Sequence, residues 1–311
     1  MPQSLHKPYL ANIRLHPIKS LDPVSVTQAQ ISSSGGLALD RAWALYSVDG
    51  KWVNGKRTPA IHFIRANYSP DLSSVTLAVP GDRRKIPTRT FDFPGEHEEA
   101  AEWFSVFFEQ QIIVRYSEGG FPDDPIANGP TIASTASLQA VADWFAQSSA
   151  QRSEGFTQKS AEPTDDFARQ DSELVPRLAA HSPSSDFPGL PLDNVRRRFR
   201  ATLEIDGVPA FWEDQLFGEN ERSVVRFTIG EVHLEGSNPC ARCPVPPRDP
   251  CTGQLIPTFQ KHFTQQREAT LPSWSPRSRF DHFYRFSTNT RVASTQAGKT
   301  LRLHDPLTLG F

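Results

Sequence analysis

The sequence predicts a β-rich α+β protein, barrel-like rather than built on a doubly wound sheet. Three observations predict it. Short apolar runs punctuated by Gly and Pro fill much of the first hundred residues, two segments switch to helical spacing, and strand-like runs return toward the C-terminus. At 311 residues and 37% hydrophobic content, the chain can bury one large core or two modest ones, and we divide it into residues 1–118 and 119–311. No internal repeat is visible.

In RAWALYSVDGKWVNG, apolar side chains alternate at Ala42, Ala44 and Tyr46, Asp49-Gly50 signals a turn, and Trp52-Val53 return. That is a hairpin pattern, and DLSSVTLAVPG and RTFDFPG continue it. HEEAAEWFSVFFEQ places Ala100, Trp103, Phe104 and Phe107 at i, i+3, i+4 and i+7, with acids in the first turn where the helix dipole favours them. STASLQAVADWFAQ repeats the spacing at Leu138, Val141, Ala142 and Phe145, with Ser134 or Thr135 as its cap. From about 151 to 190 the text turns to Ser, Pro, Asp and Glu and reads as a long polar loop or insertion. RFRATLEIDG, VVRFTIGEVHLEG and KTLRLHDPLTLGF then read as strands.

Thirty-three Lys and Arg nearly balance thirty-five Asp and Glu, for a net charge of −2. No overall basic field points to nucleic acid, so an anionic ligand must be held by a local cluster. The N-terminus resembles neither a secretory signal nor a transit peptide, and no apolar run approaches the roughly 20 residues that span a bilayer. Three cysteines within twelve positions are not a disulfide framework. These features predict a cytoplasmic protein.

Cys240-Ala-Arg-Cys243 is a C-x2-C pair, a spacing used for zinc, redox disulfides and clusters. A zinc site needs further ligands, and neither a second C-x2-C nor an H-x3–5-H pair exists. A thioredoxin-like motif opens a helix, whereas CPVPPRDP cannot start one. Two chemical roles remain, a single soft ligand or a sulfur nucleophile, with Arg242 beside Cys243 to favour the thiolate. Burial as small apolar side chains is the plain alternative.

LHPIKSLDPVSV, LDRAWALYSVDGKWVNGKR, RRRFRATLEIDG and NPCARCPVPPRDPCTG together, in that order, resemble the signatures of MOSC-domain proteins, the molybdenum-cofactor sulfurase C-terminal domain family with its N-terminal β-barrel companion. The likeness runs nearly end to end outside 151–190 and is similar in kind to the mitochondrial amidoxime-reducing component and its bacterial counterparts. It implies that Cys243 ligates molybdenum, a soft metal already held by the dithiolene sulfurs of its pterin. It also implies that Lys19, Ser20, Arg41 and Arg200 bind the molybdenum cofactor, with Arg242 joining that set. Without the resemblance, Lys19 reads as a solvated strand end and Arg41 as the outward residue of an edge strand.

Three positions depart from the family pattern. Thr202 stands where many relatives have Asn, Asn54-Gly55-Lys56 replaces Thr-Ala-Arg, and Ala241 replaces a Ser found in some. Thr202 loses an amide donor, and Lys56 supplies charge without a guanidinium fork. Cys240 is expected as a packed small side chain, Cys251 as inessential, and Asp249 and Thr252 as shapers of the turn after Cys243. Arg196-Arg197-Arg198 reads as a solvated helix end, or as a docking point for an acidic electron-transfer partner.

The resemblance implies reduction of small N-oxygenated compounds, hydroxylamines or amidoximes. With no nicotinamide or flavin glycine fingerprint and no four-cysteine ferredoxin set in the chain, electrons are expected from a separate haem or flavin/iron–sulfur reductase. Pyridoxal phosphate, a family-level association, is not expected. The alternatives are a sulfur carrier using a Cys243 persulfide and a non-catalytic cofactor carrier.

Overall fold

The computed structural model describes residues 7–81, 85–122, 127–152 and 189–310, and its architecture is α+β. The chain opens with β1 (Tyr9–Leu15), β2 (Val24–Val26) and β3 (Gln28–Gln30), then the hairpin of β4 (Trp43–Ser47) and β5 (Trp52–Val53). Leu45 pairs with Val53 and Tyr46 with Trp52, and Gly50 takes the left-handed φ of 77° that the turn needs. β4 is buried on both faces rather than alternating. Leu45 enters the core, while Tyr46 is covered by the Trp52 ring and by the Arg115 guanidinium 4.6 Å from its centroid.

β6 (Arg65–Tyr68), β7 (Ser74–Ala78) and β8 (Arg89–Asp92) form an antiparallel meander, and β9 (Ile112–Tyr116) pairs with β4. Between β8 and β9 runs α1 (His97–Phe108), whose predicted stripe Ala100, Trp103, Phe104 and Phe107 is buried. Glu98 and Glu99 face its N-terminal dipole, and Glu109 ends it in the left-handed region. The stripe packs with Ile61, Leu77 and Phe91 into one core, where each large side chain contributes about 1.5–3 kcal/mol.

The second half contains β10 (Ile132–Ser134), α2 (Thr135–Arg152), α3 (Leu192–Phe199), β11 (Leu203–Asp206), β12 (Val225–Ile229) and β13 (Val232–Ala241). α4 (Phe259–Ala269), β14 (Arg285–Arg291), β15 (Thr300–Arg302) and β16 (Leu307–Leu309) follow. Ser134 caps α2, its Oγ accepting the Ser137 N–H at 3.0 Å. Eight strands form one sheet in the order β16-β12-β13-β14-β10-β11-β1-β2, so the first two strands of the chain close onto its C-terminal half. β3 likewise pairs with β15.

The run RFRATLEIDG is not strand throughout. Val195, Arg198 and Phe199 form a buried helical stripe on α3, and the strand begins only at Leu203. The polar segment expected over 151–190 is shorter at both ends, since Gln151 and Arg152 belong to α2 and Leu190 is buried beside Phe145 and Val195. Residues 153–188 lie outside the described residues.

The basic run Arg196–Arg198 is not a solvated helix end. Arg196 forks onto both oxygens of Glu204 at 2.7 and 2.8 Å, Arg197 joins Asp193 at 2.9 Å to Asp22 at 3.0 Å, and Arg198 is 2% exposed. The helix turns these three cations inward because each meets a carboxylate that the sheet or a neighbouring loop supplies.

Candidate functional site

The thiols stand where β13 is bent. Its register against β14 shifts between Gly236 and Asn238 and again between Pro239 and Ala241, and such bulges re-aim the residues that follow. Gly236 is needed at the first bend: a Cβ there would lie 1.7 Å from the Leu216 carbonyl oxygen. Beyond Cys243 the prolines keep the chain out of helix. Asp249 shapes the next turn, its Oδ1 accepting the N–H groups of Cys251 at 2.9 Å and Thr252 at 3.0 Å. Arg198 staples this loop to α3 through the carbonyls of Pro246 and Arg248 at 2.8 and 2.6 Å.

Over this bend opens a cleft of about 360 Å³, within the range of small-molecule sites. Lys19, Ser20, Arg41, Lys56, Arg200, Thr202, Arg242 and Cys243 all line it, although they come from five separated stretches of chain. Ser20, Arg41 and Arg200 each sit at positive φ, 75°, 53° and 52°, a conformation uncommon for residues other than glycine. Arg41 is therefore a turn residue rather than part of an edge strand. Arg200 ends α3 as its left-handed cap, its N–H bonded to the Arg196 carbonyl at 2.9 Å. Lys19 is buried rather than solvated, its Nζ 2.7 Å from the Phe121 carbonyl oxygen and 5.2 Å from the Trp52 ring centre. Ser20 Oγ accepts the Gly55 N–H at 3.2 Å, which ties the Lys19-Ser20 turn to the Asn54–Lys56 turn.

Cys240 departs from its expected role. It is half-buried, lines the cleft and accepts Arg242 Nη1 at 3.2 Å. Arg242 also donates to the Phe199 carbonyl at 2.6 Å and stacks over the Phe199 ring. Burial works against its charge, but the sulfurs of Cys240 and then Cys243 outweigh it and raise the guanidinium's hold on its proton. Cys251 is exposed and does not line the cleft.

Among the described residues, six cations line the cleft, Lys19, Arg41, Lys56, Arg198, Arg200 and Arg242, against the one carboxylate of Asp40. A chain of net charge −2 thus concentrates positive charge in one place. Asp40 pairs with Arg41 and accepts the His16 N–H at 2.8 Å. Burial opposes its ionisation, yet Arg41 and His16 hold its carboxyl down at about 2. The fully buried His16 is pushed down to about 3 by burial and by Arg200.

His62 also lines the cleft, from a short 3-10 turn over Pro59–Phe63. It is 7% exposed, and burial followed by Arg200, Arg248 and Arg65 pushes it down to about 3, so it is neutral at pH 7. His62 and Asp40 were not nominated from the sequence. Asp40 adjoins Arg41 in LDRAWAL, a usable signal, whereas a lone His in PAIHFIR offers none.

The cleft suits a polar anionic ligand. Thr202 Oγ1 and His62 Nε2 are buried without a hydrogen-bond partner among the described residues, and the surrounding charge is cationic. Among the described residues, no group of three or more His, Cys, Asp or Glu could cage a metal ion. A metal held at Cys243 would therefore take most of its ligands from its own cofactor, as the donor chemistry of a pterin dithiolene provides.

No described helix is long and apolar enough to cross a membrane. No curated protein matches the chain. Residues 7–111 match the MOSC N-terminal beta barrel domain.

Proposed function

We propose that the cleft binds the molybdenum cofactor and that the chain reduces N-oxygenated compounds, hydroxylamines or amidoximes, with electrons from a separate haem or flavin/iron–sulfur protein. The observation that carries this reading is the convergence of Cys243 with Lys19, Ser20, Arg41, Lys56, Arg200, Thr202 and Arg242 on one cationic cleft. The match of residues 7–111 to the MOSC N-terminal beta barrel domain, and the resemblance of the four sequence motifs to MOSC-domain proteins, support it.

In this reading the Cys243 thiolate is the one protein ligand to the metal. Lys19, Arg41, Lys56 and Arg200 bind the cofactor's phosphate and polar edge, the guanidinium groups by forked hydrogen bonds. Thr202 Oγ1 supplies one hydroxyl where an asparagine would supply two donors. Arg242, locked by Phe199 and Cys240, keeps a fixed cation beside the sulfur. Bound there, the cofactor would supply two-electron removal of oxygen from the substrate nitrogen, with release of water.

The test is reduction of an amidoxime by protein purified from a cofactor-producing host, with reduced viologen as electron source. Amidine formation that disappears in Cys243→Ala is expected. Tightly bound cofactor without turnover on several N-hydroxy compounds would instead make this a cofactor carrier. One observation favours a sulfur-carrier reading: Cys240 and Cys243 share the charge of Arg242. Cofactor-free protein bearing a persulfide on Cys243 would establish it.

A further inference from the structure

Among the described residues, four asparagines line the cleft, Asn54, Asn128, Asn238 and Asn289. Three of them are committed to the fold. Asn54 Oδ1 accepts the N–H groups of Lys56 at 3.0 Å and Arg57 at 3.2 Å, which closes its own turn. Asn128 donates to the carbonyls of Ser34 at 2.6 Å and Val292 at 3.2 Å, and accepts the Val292 N–H at 3.2 Å. Asn238 Oδ1 accepts the Ser237 hydroxyl at 2.8 Å. The Asn289 carboxamide makes no hydrogen bond among the described residues, although Asn289 is only 7% exposed. A buried amide left unpaired costs about 1–3 kcal/mol, a cost that a bound ligand removes.

Strand register explains where this amide stands. Asn289 on β14 lies opposite Asn238 on β13, two residues before Cys240, and directly opposed residues share one face of a sheet. Asn238, Asn289 and Cys240 all line the cleft, so the Asn289 carboxamide is on the wall that leads into the bend presenting Cys243. It supplies what the neighbouring cations cannot. Arginine and lysine only donate hydrogen bonds, and the Asp40 carboxylate is held by Arg41 and the His16 N–H. Asn289 offers an accepting oxygen and two N–H donors without adding charge. An N-hydroxy amidine carries the complementary set, N–H and O–H donors beside an accepting oxygen.

We propose that Asn289 binds and orients the N-hydroxy substrate, its Oδ1 accepting an N–H or O–H and its Nδ2 donating to the substrate oxygen. The proposal deepens the reductase reading and rests on it for the identity of the substrate.

The test is steady-state reduction of benzamidoxime by the full chain from a cofactor-producing host, with reduced viologen, alongside NMR of the nitrogen-labelled asparagine amides. Asn289→Leu should lower kcat/KM about tenfold, chiefly through KM, the worth of one or two neutral hydrogen bonds, with molybdenum and pterin content unchanged. Its melting temperature should hold or rise, because an apolar side chain replaces an amide with no partner among the described residues. In the wild type, benzamidoxime should shift the Asn289 amide signals, assigned as the pair missing from the Leu variant. An unchanged KM in the folded variant or unmoved Asn289 signals would overturn the proposal. So would loss of pterin from the variant, because Asn289 would then hold the cofactor. If benzamidoxime moves the Asn289 signals while purified wild type carries neither molybdenum nor pterin, the cofactor reading fails and the Asn289 assignment stands.

Discussion

The Arg267–Asp214–Glu213 cluster and the Cys243 cleft both take charge out of water, but the first is packed around with side chains while the second leaves room. Arg267 is 1% exposed, ion-paired to Asp214 and sandwiched by the rings of Phe211 and Phe280, whose centres lie 4.0 and 5.1 Å from its guanidinium carbon. Ser275 also donates to Asp214, and Ser137 donates to Glu213 at 2.9 Å. In the cleft, six cations accompany one carboxylate around a cavity, among the described residues. Arg267 Nε and Nη1 and Glu213 Oε1 lack a hydrogen-bond partner among the described residues, so the contrast lies in charge and space: opposite charges packed against rings hold the fold together, whereas like charges gathered beside a cavity mark a place for a ligand.

The largest expected effect breaks the packed cluster. Arg267→Leu leaves Asp214 buried without its cation and should cost about 3–5 kcal/mol, seen as a large drop in chemical-denaturation midpoint. Phosphate affinity per folded molecule should not change. A small stability loss would mean that this cluster is more hydrated than its burial indicates.

The cleft should respond in the opposite sense. Arg41→Ala exposes the Asp40 carboxylate to the ligand and should weaken phosphate by tenfold or more, roughly the value of a charged hydrogen bond, with a stability change well below that of Arg267→Leu. Asp40→Asn should strengthen phosphate severalfold, because it removes the one carboxylate that lines the cleft among the described residues. Calorimetric titration of both variants checks the pair, and equal affinities would contradict the charge asymmetry.

A smaller effect separates the two regions by pH. Burial, then Asp214, pushes the Glu213 carboxyl up to about 7 from 4.5, so its contribution is full below 4.5 and is lost as pH rises through 7. His16 and His62 are pushed down to about 3 from 6.5, so their contribution is full above 6.5 and is lost as pH falls toward 3. The two slopes oppose each other between about 4.5 and 6.5. Glu213→Gln should therefore steepen the rise of stability with pH in that window, and His62→Leu should flatten it, as measured by melting temperature across pH. The smallest effect is Cys251→Ser, expected to stay within about 0.5 kcal/mol and to leave metal content unchanged, because this thiol is exposed and outside the cleft.

Local features were the legible ones. The β4–β5 hairpin followed from Asp49-Gly50, α1 from its apolar spacing, and the Ser134 cap from its position before α2. The site residues became legible through motif resemblance, not through periodicity. Pairing across the chain was not legible, since nothing in YLANIRL says that β1 joins β11 nearly two hundred residues later. Arg196–Arg198 misled because a charge run looks solvated until Glu204, Asp22 and Asp249 are seen facing it. Cys240 misled for a related reason: the Arg242 side chain that holds its sulfur turns back across the bend in β13.

Binding of the molybdenum cofactor in this cleft through Cys243 is a proposal that metal analysis can decide. Its most direct test is the molybdenum and pterin content of the wild-type protein and Cys243→Ala, both purified from a host that makes the cofactor. Near-stoichiometric molybdenum and pterin in the wild type, with a marked loss of molybdenum in the variant, is the expected result. Wild-type protein carrying neither, despite ample cofactor supply, would contradict it.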